Sequence, residues 1–155
     1  MIGVCVAGST GWTGGAVARA VADAEDLRLV SSVSRSKAGG ELLGAPVFGA
    51  VDQALDGVDV LVDYTSHDAV RGNVLTAIAR GVNVVIGSSG LSGDDYAEIA
   101  ERAREAGVGV VAAGNFSLTA AMAQAAAALV APHLPAWEII DYASAGKPDA
   151  PSGTA

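Results

Sequence analysis

The sequence is short of sulfur, aromatic rings and basic charge. Its 155 residues include one cysteine, two tryptophans, three tyrosines and two phenylalanines. A single thiol excludes an internal disulfide framework and fits a reducing compartment, the cytoplasm. Cys5 lies mid-run among apolar residues, so it reads as a small core residue rather than a nucleophile. With aromatics at 5%, the core has to be built mainly from Val, Ala, Leu and Ile. Basic residues number 9 against 17 acidic, a formal charge of −8. That balance lacks the cationic footprint of non-specific nucleic-acid binding. No apolar run reaches the length of a membrane span, and the first residues read as a strand rather than a signal peptide. His67 and His133 stand at no metal-ligand spacing from each other or from Cys5, so surface or helix-cap roles are expected and no metal site. No internal repeat or low-complexity tract occurs.

What is present is a globular composition, 51% hydrophobic and 17% charged, with 20 glycines. The glycines are not scattered. Ile2 to Ala7 is an apolar, β-branched run that enters Gly8-x-x-Gly11-x-x-Gly14, and Ala16 to Ala22 behind it favours helix. Strand, glycine turn and helix are the context of a dinucleotide fingerprint. Such glycines give φ freedom in a tight turn, let a pyrophosphate reach backbone N–H groups, and allow close helix–strand packing. A purely structural turn is the alternative reading; the flanking strand and helix favour the nucleotide.

Leu27 to Val33 reads as the second strand, ending in Ser34-Arg35-Ser36-Lys37. An NAD-specific site places an acid here for the ribose 2′-OH, whereas a 2′-phosphate prefers cations and hydroxyls. No acid occurs between Leu29 and Gly40. The segment therefore points to NADPH, against the alternative of a solvated loop with two ordinary cations. Residues 37–48 read as a loop, and Val51 to Leu55 as a short helix. Further strands are expected at Val58–Asp63, Val82–Ile86 and Val108–Ala112. Helices are expected at Asp68–Arg80, Gly93–Ala106 and Leu118–Val130. This alternation predicts an α/β, doubly wound parallel sheet whose ligand lies beyond the strand carboxyl ends. After a proline-bounded linker at residues 131–135, Trp137 to Tyr142 reads as a strand leaving the first domain. Pro151-Ser152-Gly153-Thr154 resembles a helix start with N–H donors, so a second domain is expected to continue from it.

Five segments in order resemble the 4-hydroxy-tetrahydrodipicolinate (dihydrodipicolinate) reductases of lysine and diaminopimelate synthesis. They are the Val6–Gly14 turn, Asp63-Tyr64-Thr65, Gly87-Ser88-Ser89-Gly90, Ala113-Gly114-Asn115-Phe116-Ser117 and, most specific, Lys147-Pro148-Asp149-Ala150-Pro151-Ser152-Gly153-Thr154-Ala155. The resemblance implies a Rossmann-like domain over 1–131 and, from 132 to 155, a linker and the start of an α+β substrate domain. It also implies a homo-oligomer, usually a tetramer, and NADPH or NADH as cofactor. Gly8, Ser9, Thr10, Gly11, Trp12 and Thr13 would hold the pyrophosphate. Arg35, with Ser34, Ser36 and Lys37, would hold the 2′-phosphate. Thr65 would bind the cofactor, and Gly87, Ser88 and Ser89, with Ala113, Gly114, Asn115 and Phe116, would line the nicotinamide side. Lys147 would be catalytic and, with Ser152, Gly153 and Thr154, would grip a substrate carboxylate.

Two positions depart from the family pattern. Trp12 stands where the family often has Arg, and Ala143 and Ser144 stand where it carries a His-His pair, the first His being its usual proton donor. Lys147 is then the obvious donor left, with Tyr142 or water as substitutes. Three readings follow: an NADPH-dependent reductase of the family's cyclic imine, a reductase of another small imine or amino ketone, and a non-catalytic NADPH-binding regulator. The retained Asp149–Ala155 segment favours the first two. A short-chain dehydrogenase is disfavoured because Tyr142 would need Lys at position 146, which is Gly146.

Overall fold

The computed structural model describes residues 1–140, and two units divide the chain, one over Met1–Ala112 and one from Ala113 onward. In the first, β1 (Ile2–Ala7) leads into α1 (Trp12–Asp23) and β2 (Leu27–Val33). A short hairpin, β3 (Glu41–Leu42) and β4 (Ala45–Phe48), and a 3-10 turn at Val51–Gln53 follow. Then come β5 (Val60–Asp63), α2 (His67–Ala79), β6 (Asn83–Ile86), α3 (Gly93–Ala106) and β7 (Val110–Ala112). The strands form one seven-stranded sheet in the order β3-β4-β2-β1-β5-β6-β7. All pairings are parallel except β3 with β4. This is the expected doubly wound, Rossmann-like sheet. Strand order reverses between β1 and β5, so a crevice opens at their carboxyl ends.

Alternation along β1 sends its side chains to two cores. Val4 and Val6 pack with Ala18 and Val21 of α1, while Cys5 and Ala7 join Leu61, Val70, Val74, Ile78, Val84, Ile86 and Ile99 on the face covered by α2 and α3. Burial on both faces explains why these strands read as continuous apolar runs. Gly107, at φ +68°, ends α3 in the left-handed conformation that favours glycine.

Two expectations are corrected. Residues 37–48, expected as a loop, contain β3 and β4, and β4 extends the sheet beside β2. Pro46 fits because it lies in a short strand next to the sheet edge, where a missing N–H is tolerated. Trp137 to Ile140 carries no regular structure; the rest of that expected strand, Asp141 and Tyr142, lies outside the described residues. In the second unit, α4 (Leu118–Val130) is capped by the Ser117 hydroxyl, which accepts from the Ala120 N–H, and a 3-10 turn at Ala131–His133 follows.

Candidate functional site

The turn after β1 leaves no room for side chains. Gly8 has φ +79°, and a Cβ on it would lie 2.2 Å from the Tyr64 carbonyl oxygen. A Cβ on Gly14, inside α1, would lie 2.2 Å from the Gly8 carbonyl oxygen. These glycines let helix, turn and the loop after β5 meet backbone to backbone. Gly11 is the N-cap of α1, no side chain caps the helix, and its first turn holds no acid. The partial positive charge of that terminus is left for an outside anion. Ser9 is buried and turned inward, its hydroxyl and N–H both donating to the Val33 carbonyl. Trp12 and Thr13 are exposed at the helix start.

A chain of hydroxyls joins this turn to the end of β2. Thr10 Oγ1 is 2.7 Å from Ser34 Oγ, which is 3.2 Å from Ser36 Oγ. The Ser34 N–H donates to the Phe48 carbonyl, so β4, unforeseen in the sequence, fixes the loop. Together these segments line a cleft of about 420 Å³ with Gly8, Thr10, Gly11, Val33, Ser34, Arg35 and Ser36. Its other wall is Gly49, Ala50, Tyr64, Thr65, Ser66, Ala69 and Asn73. Arg35 is exposed at the rim; Lys37, also exposed, is not among the lining residues.

Gly49, Ala50, Tyr64, Ser66 and Asn73 are cleft residues that the sequence reading misses. A signal exists for two of them: Ser66, Ala69 and Asn73 follow one another at helical spacing, the mark of one face of α2. Partial burial pushes the Tyr64 phenol above its ordinary range. Thr65 and Ser88 both bond the Asp63 carboxylate, while Gly87 and Ser89 belong to the turn after β6. Deeper in, burial pushes the Cys5 thiol up to about 11, with a Ser31 hydrogen bond opposing and the Asp63 charge reinforcing it. A thiol so protonated is a poor nucleophile, in keeping with a core role.

Ala113, Gly114, Asn115 and Phe116 open the second unit, where Asn115 Oδ1 accepts from the Ser117 N–H at 2.7 Å. Ala143, Ser144, Lys147, Ser152, Gly153 and Thr154 lie outside the described residues. Among the described residues, no group of three or more His, Cys, Asp or Glu is placed to hold a metal, and no helix is long and apolar enough to cross a membrane.

A switch-point cleft with this glycine turn agrees with the comparisons to known proteins. The family model described as the dihydrodipicolinate reductase N-terminus matches residues 2–116. The chain belongs to the dihydrodipicolinate reductase family. It is 36% identical over 155 residues to the 4-hydroxy-tetrahydrodipicolinate reductase of Beutenbergia cavernae, covering 99% of this chain and 58% of that protein. To the enzyme of Thermosynechococcus vestitus it is 38% identical, covering 99% and 61%. It thus spans about three fifths of the length of these relatives. The structure of a dipicolinate-bound dihydrodipicolinate reductase from Paenisporosarcina sp. TG-14 matches with a TM-score of 0.80 at 27% identity, covering 99% of this chain and 62% of that one. GenD2 from gentamicin A biosynthesis, solved in complex with NAD, matches with a TM-score of 0.71 at 29% identity, covering 84% and 40%.

Proposed function

We propose that the cleft between the glycine turn and the ends of β2 and β5 holds NADPH, and that the protein is a reductase acting on a cyclic, carboxylate-bearing imine. The observation that carries this reading is the junction of two features in one cleft. An uncapped α1 terminus sits over a turn that admits no side chain, and a hydroxyl chain runs from Thr10 to Ser34 and Ser36, the two sequence neighbours of Arg35, all four lining the cleft. The first suits a pyrophosphate and the second a 2′-phosphate. Family membership gives the coarser part, a nicotinamide dinucleotide; the preference for NADPH rests on Arg35 and the absence of an acid beside it.

Bound reduced nicotinamide supplies hydride to the imine. The chain's own residues do the rest. Backbone N–H groups at the start of α1, on Trp12 and Thr13, meet the pyrophosphate charge. Arg35, Ser34, Ser36 and Lys37 hold the 2′-phosphate. Thr65 lines the cleft against the cofactor. The Gly87–Ser89 turn, with the Ala113–Phe116 segment, borders the nicotinamide, and such positioning supplies much of the barrier reduction. Lys147 supplies the proton and, with Ser152, Gly153 and Thr154, grips a carboxylate. The domain division at residue 131, a cytoplasmic location and a homo-tetramer belong to the same proposal.

A second reading comes from the resemblance, by which Ala143 and Ser144 stand where the family carries its histidine pair. A positioned acid contributes a factor on the order of 10²–10⁴, so either turnover is slow or another small imine is the substrate. The test is turnover of enzymatically generated hydroxy-tetrahydrodipicolinate with NADPH, followed by loss of reduced-cofactor absorbance. Measurable turnover supports the first reading. Tight NADPH binding without turnover transfers support to another small imine or amino ketone, and a panel of both without any turnover leaves only the regulator.

A further inference from the structure

Asp63 ends β5 with 0% of its surface exposed. Its Oδ1 accepts from the Thr65 N–H at 2.9 Å, the Thr65 hydroxyl at 2.7 Å and the Ser88 hydroxyl at 2.7 Å. Its Oδ2 accepts from the Asn73 side-chain amide at 2.8 Å. A carboxylate taken out of water is tolerated only when its lone pairs are filled in this way. The Thr65 bonds are local and shape a turn. The other two are not: Asn73 lies mid-way along α2 and Ser88 follows β6, so one carboxylate ties three segments together.

Steric contacts make the tie rigid. A Cβ on Gly87 would lie 2.2 Å from Tyr64 Cζ, and one on Gly90 would lie 2.1 Å from His67 Cβ. The turn after β6 is therefore seated directly on the loop after β5. Thr65 and Asn73 line the cleft, whereas Asp63 stands behind them.

We propose that Asp63 is a positioning residue for the cofactor: it holds the Thr65 and Asn73 wall, which lines one cleft with Ser34, Arg35 and Ser36, in register with the Gly87–Ser89 turn, and so aligns the two halves of the dinucleotide. This rests on the dinucleotide reading above. A carboxylate that serves the fold alone would affect both halves of the cofactor equally, or neither. One that aligns the β5 and β6 loops weakens a ligand spanning both loops more than a ligand that fills only the cleft of Thr65, Asn73 and Arg35.

The test is a polarity exchange read by titration with NADPH and with adenosine 2′,5′-bisphosphate, which lacks the nicotinamide. In Asp63→Asn, three donors still meet an oxygen, and the Asn73 amide meets the new amide only by turning its oxygen inward, which gives up its 3.3 Å bond to Thr65 Oγ1. Asn73→Asp alone sets two carboxylates against each other. In the double variant the amide introduced at position 63 donates to the carboxylate introduced at position 73, and the bond is restored with its polarity reversed. Each single change is expected to weaken NADPH about tenfold or more, the scale of one hydrogen bond to a charged group, and the bisphosphate, which fills only the cleft, by less. The double variant recovers NADPH binding. If Asp63→Asn does not fold, Asn73→Asp at the partly exposed partner carries the same comparison. Wild-type NADPH affinity in a folded single variant, equal loss of both ligands, or a folded double variant without recovery overturns the proposal. Wild-type protein that binds neither ligand overturns the dinucleotide reading instead.

Discussion

The helices α1 and α3 both follow parallel strands of the same sheet, yet they begin in opposite ways. α3 starts on Ser92, whose hydroxyl accepts from the Asp95 N–H at 3.2 Å while the Asp95 carboxylate accepts from the Ser92 N–H at 2.8 Å. The Ser92 hydroxyl also donates to the Asp95 carboxylate at 2.7 Å, and this bond, the one from the Ser92 N–H and the neighbouring Arg71 guanidinium hold Asp95 below the ordinary carboxylate range. The chain has supplied its own anion there. α1 starts on Gly11 with no capping side chain and no acid in its first turn. A helix terminus completed from within serves the fold; one left incomplete over a turn without room for Cβ atoms is available to a ligand.

The largest expected effect is at the turn. In Gly14→Ala the new methyl meets the Gly8 carbonyl, a backbone atom that yields only if the turn opens. A loss on the order of 3 kcal/mol is expected in urea unfolding, and a loss under about 0.5 kcal/mol would show that the close packing is not needed. Next comes Gly11→Asp, which gives α1 an acid at its start, as α3 has. Gly11 has φ −76°, open to any residue, and a Cβ there would lie 3.2 Å from the Gly8 carbonyl oxygen, a contact that a shift of a few tenths of an ångström relieves, so the fold should hold. NADPH binding should fall about tenfold or more as the carboxylate competes for the N–H groups. Unchanged affinity would remove α1 from the phosphate site. The smallest effect is Ser92→Ala, costing about 1 kcal/mol through the lost cap and leaving NADPH binding as it was. The sign of the pH effect follows from Asp95: with its folded pKa lowered, its contribution is complete above the unfolded value of 3.8 and fades as pH falls through the folded one. Circular dichroism during acid titration should show α3 losing that support in wild type but less so in Ser92→Ala.

How much of this is legible in the sequence depends on how local the cause is. α3 and α4 fall within Gly93–Ala106 and Leu118–Val130, as their periodicity and flanking residues predict. Ser92 and Asp95 stand three residues apart, a spacing that carries the capping box, which the sequence reading passes over. The β3–β4 hairpin escapes because its strands are too short to show alternation and contain Pro46. In the cleft, Gly8, Gly11 and Arg35 can be read from strand–turn–helix context. Gly49, Ala50, Tyr64 and Asn73 reach it through β4 pairing and the packing of α2. The reach of Asp63 to Ser88, 25 residues away, is likewise a property of neighbouring strands that no local pattern carries.

The central claim, that the end of β2 reads a 2′-phosphate beside an open helix terminus, is tested most directly by calorimetric titration of NADPH and NADH into wild type and Arg35→Asp. Wild type should bind NADPH about tenfold or more tighter than NADH, and Arg35→Asp should lose most of that preference by weakening NADPH while NADH changes little. Equal affinities in the wild type, or equal losses for both cofactors in the variant, would contradict it.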